Sequence, residues 1–178
     1  MSRLNSVSID AAPAAAQALF GQIKQAMGKV PNAYATIGAL SPAALGLMLS
    51  GDAALGKGTL TKAEIEAIRV AISSDNGCDY CVAAHSLVGK MAGLKPEELS
   101  QLRNGGATGD ERRDALVRFV RVVSGSRGTV PAEVVQQVLA AGFSEPQVIE
   151  ALLTVSLITF TNLVNRVNDT TLDFPRPQ

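Results

Sequence analysis

Residues 60–93 read LTKAEIEAIRVAISSDNGCDYCVAAHSLVGKMAG, and this stretch decides the fold class. Thr61 and Glu64 have the spacing of a capping box, which begins a helix. Apolar residues then recur at helical spacing, at Ile65, Ile68 and Ile72. The DNG turn at residues 75–77 ends this helix, and a second helix over residues 78–92 follows directly. The stretch therefore predicts a helical hairpin with a tight turn.

The rest of the chain follows the same pattern. Proline, glycine and capping residues delimit further helices, the last of them long and covering residues 146–167. No strand alternation of convincing length appears. We expect one all-α domain over residues 1–178, a helical bundle of about seven to eight helices. Its core motif is the 60–93 stretch, and an extended tail over residues 168–178 ends it.

The composition fits a packed helical domain. Hydrophobic residues make up 47% of the chain and charged residues 18%, which is enough for a core and too apolar for disorder. Lys and Arg number 16 and Asp and Glu also number 16, so the formal net charge is zero. That balance argues against a nucleic-acid partner, because phosphate binding requires clustered positive charge.

The sequence predicts no secretion signal and no membrane span. Residues 1–20 lack an apolar stretch long enough for a secretory signal. The longest uncharged run, residues 151–165, is shorter than the ~20 residues that cross a bilayer, and it contains several polar residues. A core or subunit-interface helix explains this run better. Two cysteines cannot form a secreted disulfide framework, so we expect a cytoplasmic protein.

The residues that carry chemistry lie in the same stretch. Cys78, Cys81 and His85 stand at positions i, i+3 and i+7, so a helix places all three on one face. Cys78 follows the turn and sits at the positive end of the helix dipole, which predicts a lowered pKa for its thiol. The CxxC spacing lets the two sulfurs meet, so the pair can cycle between dithiol and disulfide.

Glu66 belongs to the preceding helix, and its apolar neighbours indicate that it points into the helix interface. A buried carboxylate needs a partner, and His85, the single histidine of the chain, is available. Such a pair would orient the imidazole and keep it basic. A thiol redox site is the favoured interpretation of Glu66, Cys78, Cys81 and His85.

Other interpretations of these four residues remain open. The cysteines and His85 could bind zinc with Glu66 as the fourth ligand, or the cysteines could be buried and inert. Glu66 could be an ordinary surface residue. Attachment of c-type haem is excluded, because Val82 rather than a histidine follows the CxxC.

Four further polar residues are interpreted as structural. Tyr80 is expected to pack rather than to act as an acid. Asn162, Asn165 and Arg166 could simply tie the final helix to a neighbour, and they are not predicted as site residues.

The motif in residues 60–93 resembles the core of the alkylhydroperoxidase D family, within the carboxymuconolactone decarboxylase-like superfamily. That family has a glutamate, a CxxC pair that begins twelve positions later, and a histidine after three further residues. Glu66, Cys78, Cys81 and His85 match all four positions. Tyr80 stands where the best-known members have a histidine, and in this the chain resembles the peroxidase-related branch. The similarity extends over roughly residues 30–174.

The resemblance implies an all-helical peroxidase of the alkylhydroperoxidase D-like type that reduces hydrogen peroxide or alkyl hydroperoxides. Cys81 would attack the peroxide, Cys78 would resolve the product as a disulfide, and His85 and Glu66 would form a proton relay. The implied partners are a hydroperoxide and a dithiol, thioredoxin-like or lipoyl-type reductant, with no cofactor and no metal. The resemblance also implies a homo-oligomer, a trimer or a hexamer.

Two other functions compete with this interpretation. The same cysteine pair could be a thiol–disulfide switch or sensor that is oxidised once without turnover. A decarboxylase or lactone-processing activity occurs elsewhere in the superfamily, but that chemistry does not need a CxxC pair.

Overall fold

The computed structural model describes residues 2–4 and 8–177. A short 3-10 helix, Ile9–Ala11, precedes the first α-helix. The α-helices that follow are α1 (Ala14–Met27), α2 (Asn32–Leu40), α3 (Pro42–Leu55), α4 (Lys62–Asp75), α5 (Asp79–Met91), α6 (Pro96–Asn104), α7 (Glu111–Gly125), α8 (Ala132–Ala140) and α9 (Glu145–Asn168). These ranges contain no β-strand. The predicted all-α domain is confirmed, with nine α-helices in the described part of the chain rather than seven or eight.

Helix α4 is the centre of the domain and contacts α5, α6, α7 and α9. One face, with Ile68 and Ile72, belongs to the main apolar cluster, which α7, α8 and α9 complete. The opposite face, with Val70 and Ala71, packs against leucines of α6 and Val117 of α7. Because apolar contacts surround α4 on both faces, any polar side chain that it carries inward is removed from water.

The α4–α5 hairpin forms as the sequence predicts. Thr61 and Glu64 make the reciprocal hydrogen bonds of a capping box at the start of α4. Gly77 has a φ of +64°, a left-handed conformation that favours glycine, and it turns the chain between the two helices. Gly89 of α5 lies close to α4, since an added Cβ would be 3.6 Å from that of Glu66. The two helices therefore pack tightly enough to bring their polar side chains together.

Helices α1, α2 and α3 form a second apolar cluster around Phe20 and Leu45. This cluster reaches α9 through Leu157 and Val164. Gly38 of α2 allows the close contact, because a Cβ there would be 2.5 Å from the Phe20 ring. The two clusters meet beside α4, α5 and α9, and a cavity lies at their junction.

Helix α9 is long and apolar enough to cross a membrane, judged by length and composition alone. In the single chain only part of it is buried, and its inward face carries polar side chains. Thr154, Asn162, Asn165 and Asn168 are all buried. Beyond α9, residues 169–177 form no helix or strand and run back towards α2 and α5.

The outward side of α9 leads to a prediction about assembly. Its apolar side chains were expected to be buried partly between subunits, yet in the single chain Ile149 is 66% exposed and Leu163 is 58% exposed. Because such side chains favour a partner surface over water, light scattering at micromolar concentration should give a multiple of the 18.5 kDa chain mass. Ile149→Glu together with Leu163→Glu should shift the mass towards that of one chain. A wild-type mass near 18.5 kDa would contradict this prediction.

Candidate functional site

The candidate site is a cavity of about 220 Å³ at the junction of the two clusters. Apolar side chains make up much of its wall, among them Met27, Met48, Val88, Leu157, Ile158 and Phe174. Polar groups from four helices line the rest, among them Asp52, Glu66, Arg69, Cys81, His85 and Asn165. Three of the four residues predicted from the sequence, Glu66, Cys81 and His85, thus line one cavity.

The fourth predicted residue, Cys78, touches Cys81 without lining the cavity. Cys78 is the N-cap of α5, and its Sγ accepts a hydrogen bond from the backbone N–H of Cys81 at 3.4 Å. The two Sγ atoms lie 2.7 Å apart, and both thiols are free. Both side chains are buried. A molecule in the cavity would therefore meet Cys81 first, with Cys78 directly beside it.

The two thiols have opposite acidities. The hydrogen bond from Cys78 lowers the pKa of Cys81 to about 6 against the opposing effect of burial, and the Asn165 amide and the charge of His85 lower it further. The hydrogen bond to Cys81, together with burial, raises the pKa of Cys78 above its ordinary value. The expectation that the helix dipole would give Cys78 the lowered pKa is therefore wrong. Cys78 donates a hydrogen bond to the Cys81 sulfur and so keeps its proton, and this outweighs the effect of its position at the helix end.

Glu66 and His85 are paired, as the sequence predicted. Glu66 is only 4% exposed, and its Oε2 lies 2.8 Å from Nδ1 of His85. Burial raises the pKa of Glu66, but the charge and hydrogen bond of His85, together with those of Arg69, outweigh burial and hold the pKa below its ordinary value. Glu66 therefore carries a negative charge beside the imidazole, and the interpretation of Glu66 as a surface residue is wrong.

Arg69 and Asp52 extend this network and were not predicted. Arg69 donates from Nη1 to Oε1 of Glu66 at 2.8 Å and from Nη2 to Oδ1 of Asp52 at 2.6 Å. Burial is the largest effect that raises the pKa of Asp52 above its ordinary value. Arg69 stands three residues after Glu66, a spacing that could have indicated the first contact. Nothing local in the sequence connects Asp52 with α4.

Asn165 contacts the CxxC pair, a contact that sequence reasoning did not predict. Its Nδ2 donates a hydrogen bond to Sγ of Cys81 at 3.2 Å. Asn162, one turn earlier, donates to Oγ of Ser73 and accepts from Asn76, so it ties α9 to α4, and it has a smaller effect that lowers the pKa of both thiols. Arg166 is exposed, and its backbone carbonyl accepts a hydrogen bond from the guanidinium of Arg3. One of the three residues expected to be structural thus touches the candidate nucleophile.

Tyr80 connects the CxxC segment to the C-terminal tail. Its hydroxyl donates to Oδ1 of Asp173 at 2.6 Å and accepts from the backbone N–H of Ala33 at 3.2 Å. The Phe174 ring packs edge-on against the Tyr80 ring, with the centroids 5.5 Å apart, and also lines the cavity. Burial, followed by the bond to Asp173, raises the pKa of Tyr80, so the phenol stays protonated and holds the tail.

A metal site was the other interpretation of these residues. Within residues 2–4 and 8–177, no group of three or more His, Cys, Asp or Glu side chains is arranged to hold a metal ion. Both carboxylate oxygens of Glu66, the fourth ligand considered, are already hydrogen-bonded to Arg69 and His85.

The chain is therefore an all-helical protein with a pair of free thiols beside a cavity. Cys81, His85 and the buried Glu66 line this cavity, and Cys78 contacts Cys81 from behind it. Residues 41–116 match the model of the carboxymuconolactone decarboxylase family, in agreement with the resemblance that the motif indicated. No curated protein matches the sequence.

Solved structures show the same fold. An uncharacterised peroxidase-related protein with an alkylhydroperoxidase AhpD core, from Ralstonia eutropha JMP134, is 24% identical, with a TM-score of 0.84 over 97% of this chain and 92% of that one. An uncharacterised peroxidase-related protein from Silicibacter sp. TM1040 is 22% identical, with a TM-score of 0.82 over 96% and 91%. The debrominase Bmp8 is 19% identical, with a TM-score of 0.74 over 89% and 86%.

The contact between Tyr80 and the tail leads to a prediction. Tyr80→Phe removes a hydrogen bond to a carboxylate, a type worth about 1.5–3 kcal/mol, so the tail should open more often. Hydrogen exchange of the peptide over residues 169–174 should become faster, while exchange within α4 stays unchanged. Tyr34→Phe is the control, because Tyr34 also lines the cavity but makes no hydrogen bond to Asp173. Equal tail exchange in Tyr80→Phe and the wild type would contradict the prediction.

Proposed function

We propose that this protein is a thiol-dependent peroxidase that reduces hydroperoxides through Cys81 and Cys78. The observation that carries the proposal is the acidic thiol of Cys81 on the wall of a cavity, with a second thiol 2.7 Å away. A thiolate is the nucleophile in such chemistry, and its pKa of about 6 makes Cys81 mostly ionised at neutral pH.

In the first step the Cys81 thiolate attacks the terminal oxygen of the hydroperoxide. The sulfur–oxygen bond forms while the oxygen–oxygen bond breaks, giving a sulfenic acid on Cys81 and an alkoxide that takes up a proton to leave as an alcohol. Water leaves instead when hydrogen peroxide is the substrate. His85 lies one helical turn from Cys81 on the same cavity wall and supplies this proton.

In the second step the Cys78 sulfur attacks the Cys81 sulfur and water leaves, so a disulfide replaces the sulfenic acid. An external dithiol then returns both cysteines to thiols by exchange and becomes a disulfide itself. The sum of the cycle is one hydroperoxide and one dithiol converted into an alcohol, water and a disulfide.

Glu66 supports the acid–base role of His85. Its buried carboxylate accepts from Nδ1, which leaves Nε2 for proton exchange with sulfur or substrate. Arg69 holds the other carboxylate oxygen, so Glu66 cannot swing away from the imidazole without breaking an ion pair. This arrangement is a proton relay with its charged end removed from water.

The family relationship supports peroxide chemistry without defining the substrate. Two structures of the same fold come from proteins described as peroxidase-related, whereas another is of a debrominase. The fold by itself therefore serves more than one reaction. The mostly apolar walls and the volume of about 220 Å³ favour an organic hydroperoxide over hydrogen peroxide, which is little larger than water. We place this activity in the cytoplasm, where dithiol reductants keep cysteines reduced.

Turnover distinguishes a peroxidase from a thiol switch. With a dithiol reductant present, the wild type should consume many equivalents of cumene hydroperoxide per chain. Without reductant, one equivalent should remove two hydrogen atoms from the chain mass as the Cys78–Cys81 disulfide forms. Cys81→Ser should abolish consumption, and Cys78→Ser should leave a sulfenic acid on Cys81 that dimedone traps. Oxidation of a single equivalent without further turnover would instead support the switch.

The proton relay makes a separate prediction. General acid–base assistance is typically worth about 10²–10⁴-fold, so His85→Gln should slow the reaction with peroxide by a factor in that range. Glu66→Gln keeps the size of the side chain but removes its charge, and it should lose less, because Glu66 acts through the imidazole. Stopped-flow measurement of disulfide formation gives both rates. Wild-type rates in both variants would show that Glu66 and His85 are structural.

A further inference from the structure

Three asparagines follow one another at successive turns of α9 and face the interior. All three amides are buried, and most of the neighbouring residues on this helix are apolar, so each amide needs a hydrogen-bond partner inside the protein. Asn162 is hydrogen-bonded at both ends of its amide, donating to Ser73 and accepting from Asn76. Asn168 is also satisfied at both ends, because it donates to Thr170 and accepts from the backbone N–H of Leu4.

Asn165 differs from its two neighbours. Its Nδ2 donates to Sγ of Cys81 at 3.2 Å, whereas its Oδ1 is buried without a hydrogen-bond partner. A buried carbonyl without a donor is unfavourable, and such groups in native proteins call for an explanation. The opposite orientation of the amide would give the oxygen a thiol proton to accept. The observed orientation is the one that suits a sulfur without a proton.

The donors around Cys78 are weaker, and the side chain of Asn162 has the smallest of the effects on its pKa. Its Sγ accepts from the backbone N–H of Cys81 at the longer distance of 3.4 Å and donates its own hydrogen bond to Cys81. The sulfur of Cys81 therefore receives hydrogen bonds from the side chains of Cys78 and Asn165, and Asn162 contributes a weaker one. Of the donors outside the CxxC motif, Asn165 has the larger effect on the pKa of Cys81.

We propose that Asn165 is a catalytic residue that makes Cys81, rather than Cys78, the attacking thiol, by donating a hydrogen bond to its sulfur. The proposal rests on the proposed function for the reaction with peroxide. The assignment of the thiolate to Cys81 can be measured without any peroxide.

The charged groups around Cys81 explain why a neutral donor is useful. Apart from Cys78, the titratable side chains that interact with Cys81 or share its cavity come from α2, α3, α4 and α5, and they are Tyr34, Asp52, Glu66, Arg69, Tyr80 and His85. Arg69 forms ion pairs with the carboxylates of Asp52 and Glu66, so these two groups largely neutralise its charge. An amide stabilises the thiolate without adding another charge that would need its own counterion.

The test is the pH dependence of alkylation of each cysteine in the reduced protein by iodoacetamide, with peptide mass spectrometry to separate Cys78 from Cys81. In the wild type, Cys81 should react with a midpoint near pH 6, and Cys78 only at alkaline pH. Asn165→Leu removes the donor at similar size, and it should raise the midpoint of Cys81 by about one to two pH units, the usual worth of a hydrogen bond to a charged group. The alkylation rate at pH 6 should then fall about tenfold.

Two further variants make the result specific. Asn165→Asp keeps the shape of the side chain, removes the donor and adds a negative charge, so it should raise the midpoint at least as far as Asn165→Leu. Asn168→Leu is the matched control, because it changes a buried asparagine of the same helix that does not contact either sulfur. Its midpoint should equal that of the wild type.

Two outcomes would overturn the proposal. One is an unchanged Cys81 midpoint in both folded Asn165 variants. The other is an equal shift in Asn168→Leu, which would assign the effect to general loosening of α9. A shifted midpoint in a protein that does not turn over peroxide would uphold the role of Asn165 and refute the peroxidase function, so the two failures can be told apart.

Discussion

The buried carboxylate of Glu66 is the constraint on which the site depends. A charge removed from water is tolerated only where it is paired and hydrogen-bonded, and Glu66 has Arg69 on one oxygen and His85 on the other. The pairing with His85 fixes the rotation of α5 about its axis. Once His85 faces α4, Cys81 one turn earlier has to face the same cavity. The buried charge of Glu66 on α4 thus determines that His85 and Cys81 of α5 point into the cavity.

Arg69, which pairs with Glu66, also connects α4 to a third helix. Its second ion pair, with Asp52, joins α4 to α3, and α3 belongs to the other apolar cluster. The cavity lies where the two clusters meet. Ion pairs of Arg69 fix the polar side of its wall, and aliphatic side chains form the rest. Helix α9 closes the remaining side and supplies the amide that touches Cys81. Burying that amide in an apolar helix is unfavourable unless it has a partner, and the sulfur is that partner.

Much of this arrangement could be predicted from the sequence because it is local. The capping box at Thr61, the turn before Cys78 and the pairing of Glu66 with His85 follow from spacing within one helical hairpin. The contacts of Asp52 and Asn165 join residues far apart in the chain, and no spacing rule reaches that distance. A usable signal was present for Asn165: three asparagines at three-residue intervals in an apolar helix indicate buried amides that need partners.

The lowered pKa predicted for the Cys78 thiol was wrong for a physical reason. The helix dipole was assigned to Cys78 because that residue precedes α5, but its effect is worth about 0.3–1 kcal/mol in exposed positions and at most ~2 kcal/mol in partly buried ones. A direct hydrogen bond to a charged group is worth about 1.5–3 kcal/mol, and here the sulfurs themselves form one. When one thiol donates to the other, the donor keeps its proton and the acceptor loses its own more easily. Capping α5 therefore does not activate Cys78 but holds it protonated, with its sulfur 2.7 Å from that of Cys81, where the proposed mechanism needs a resolving thiol.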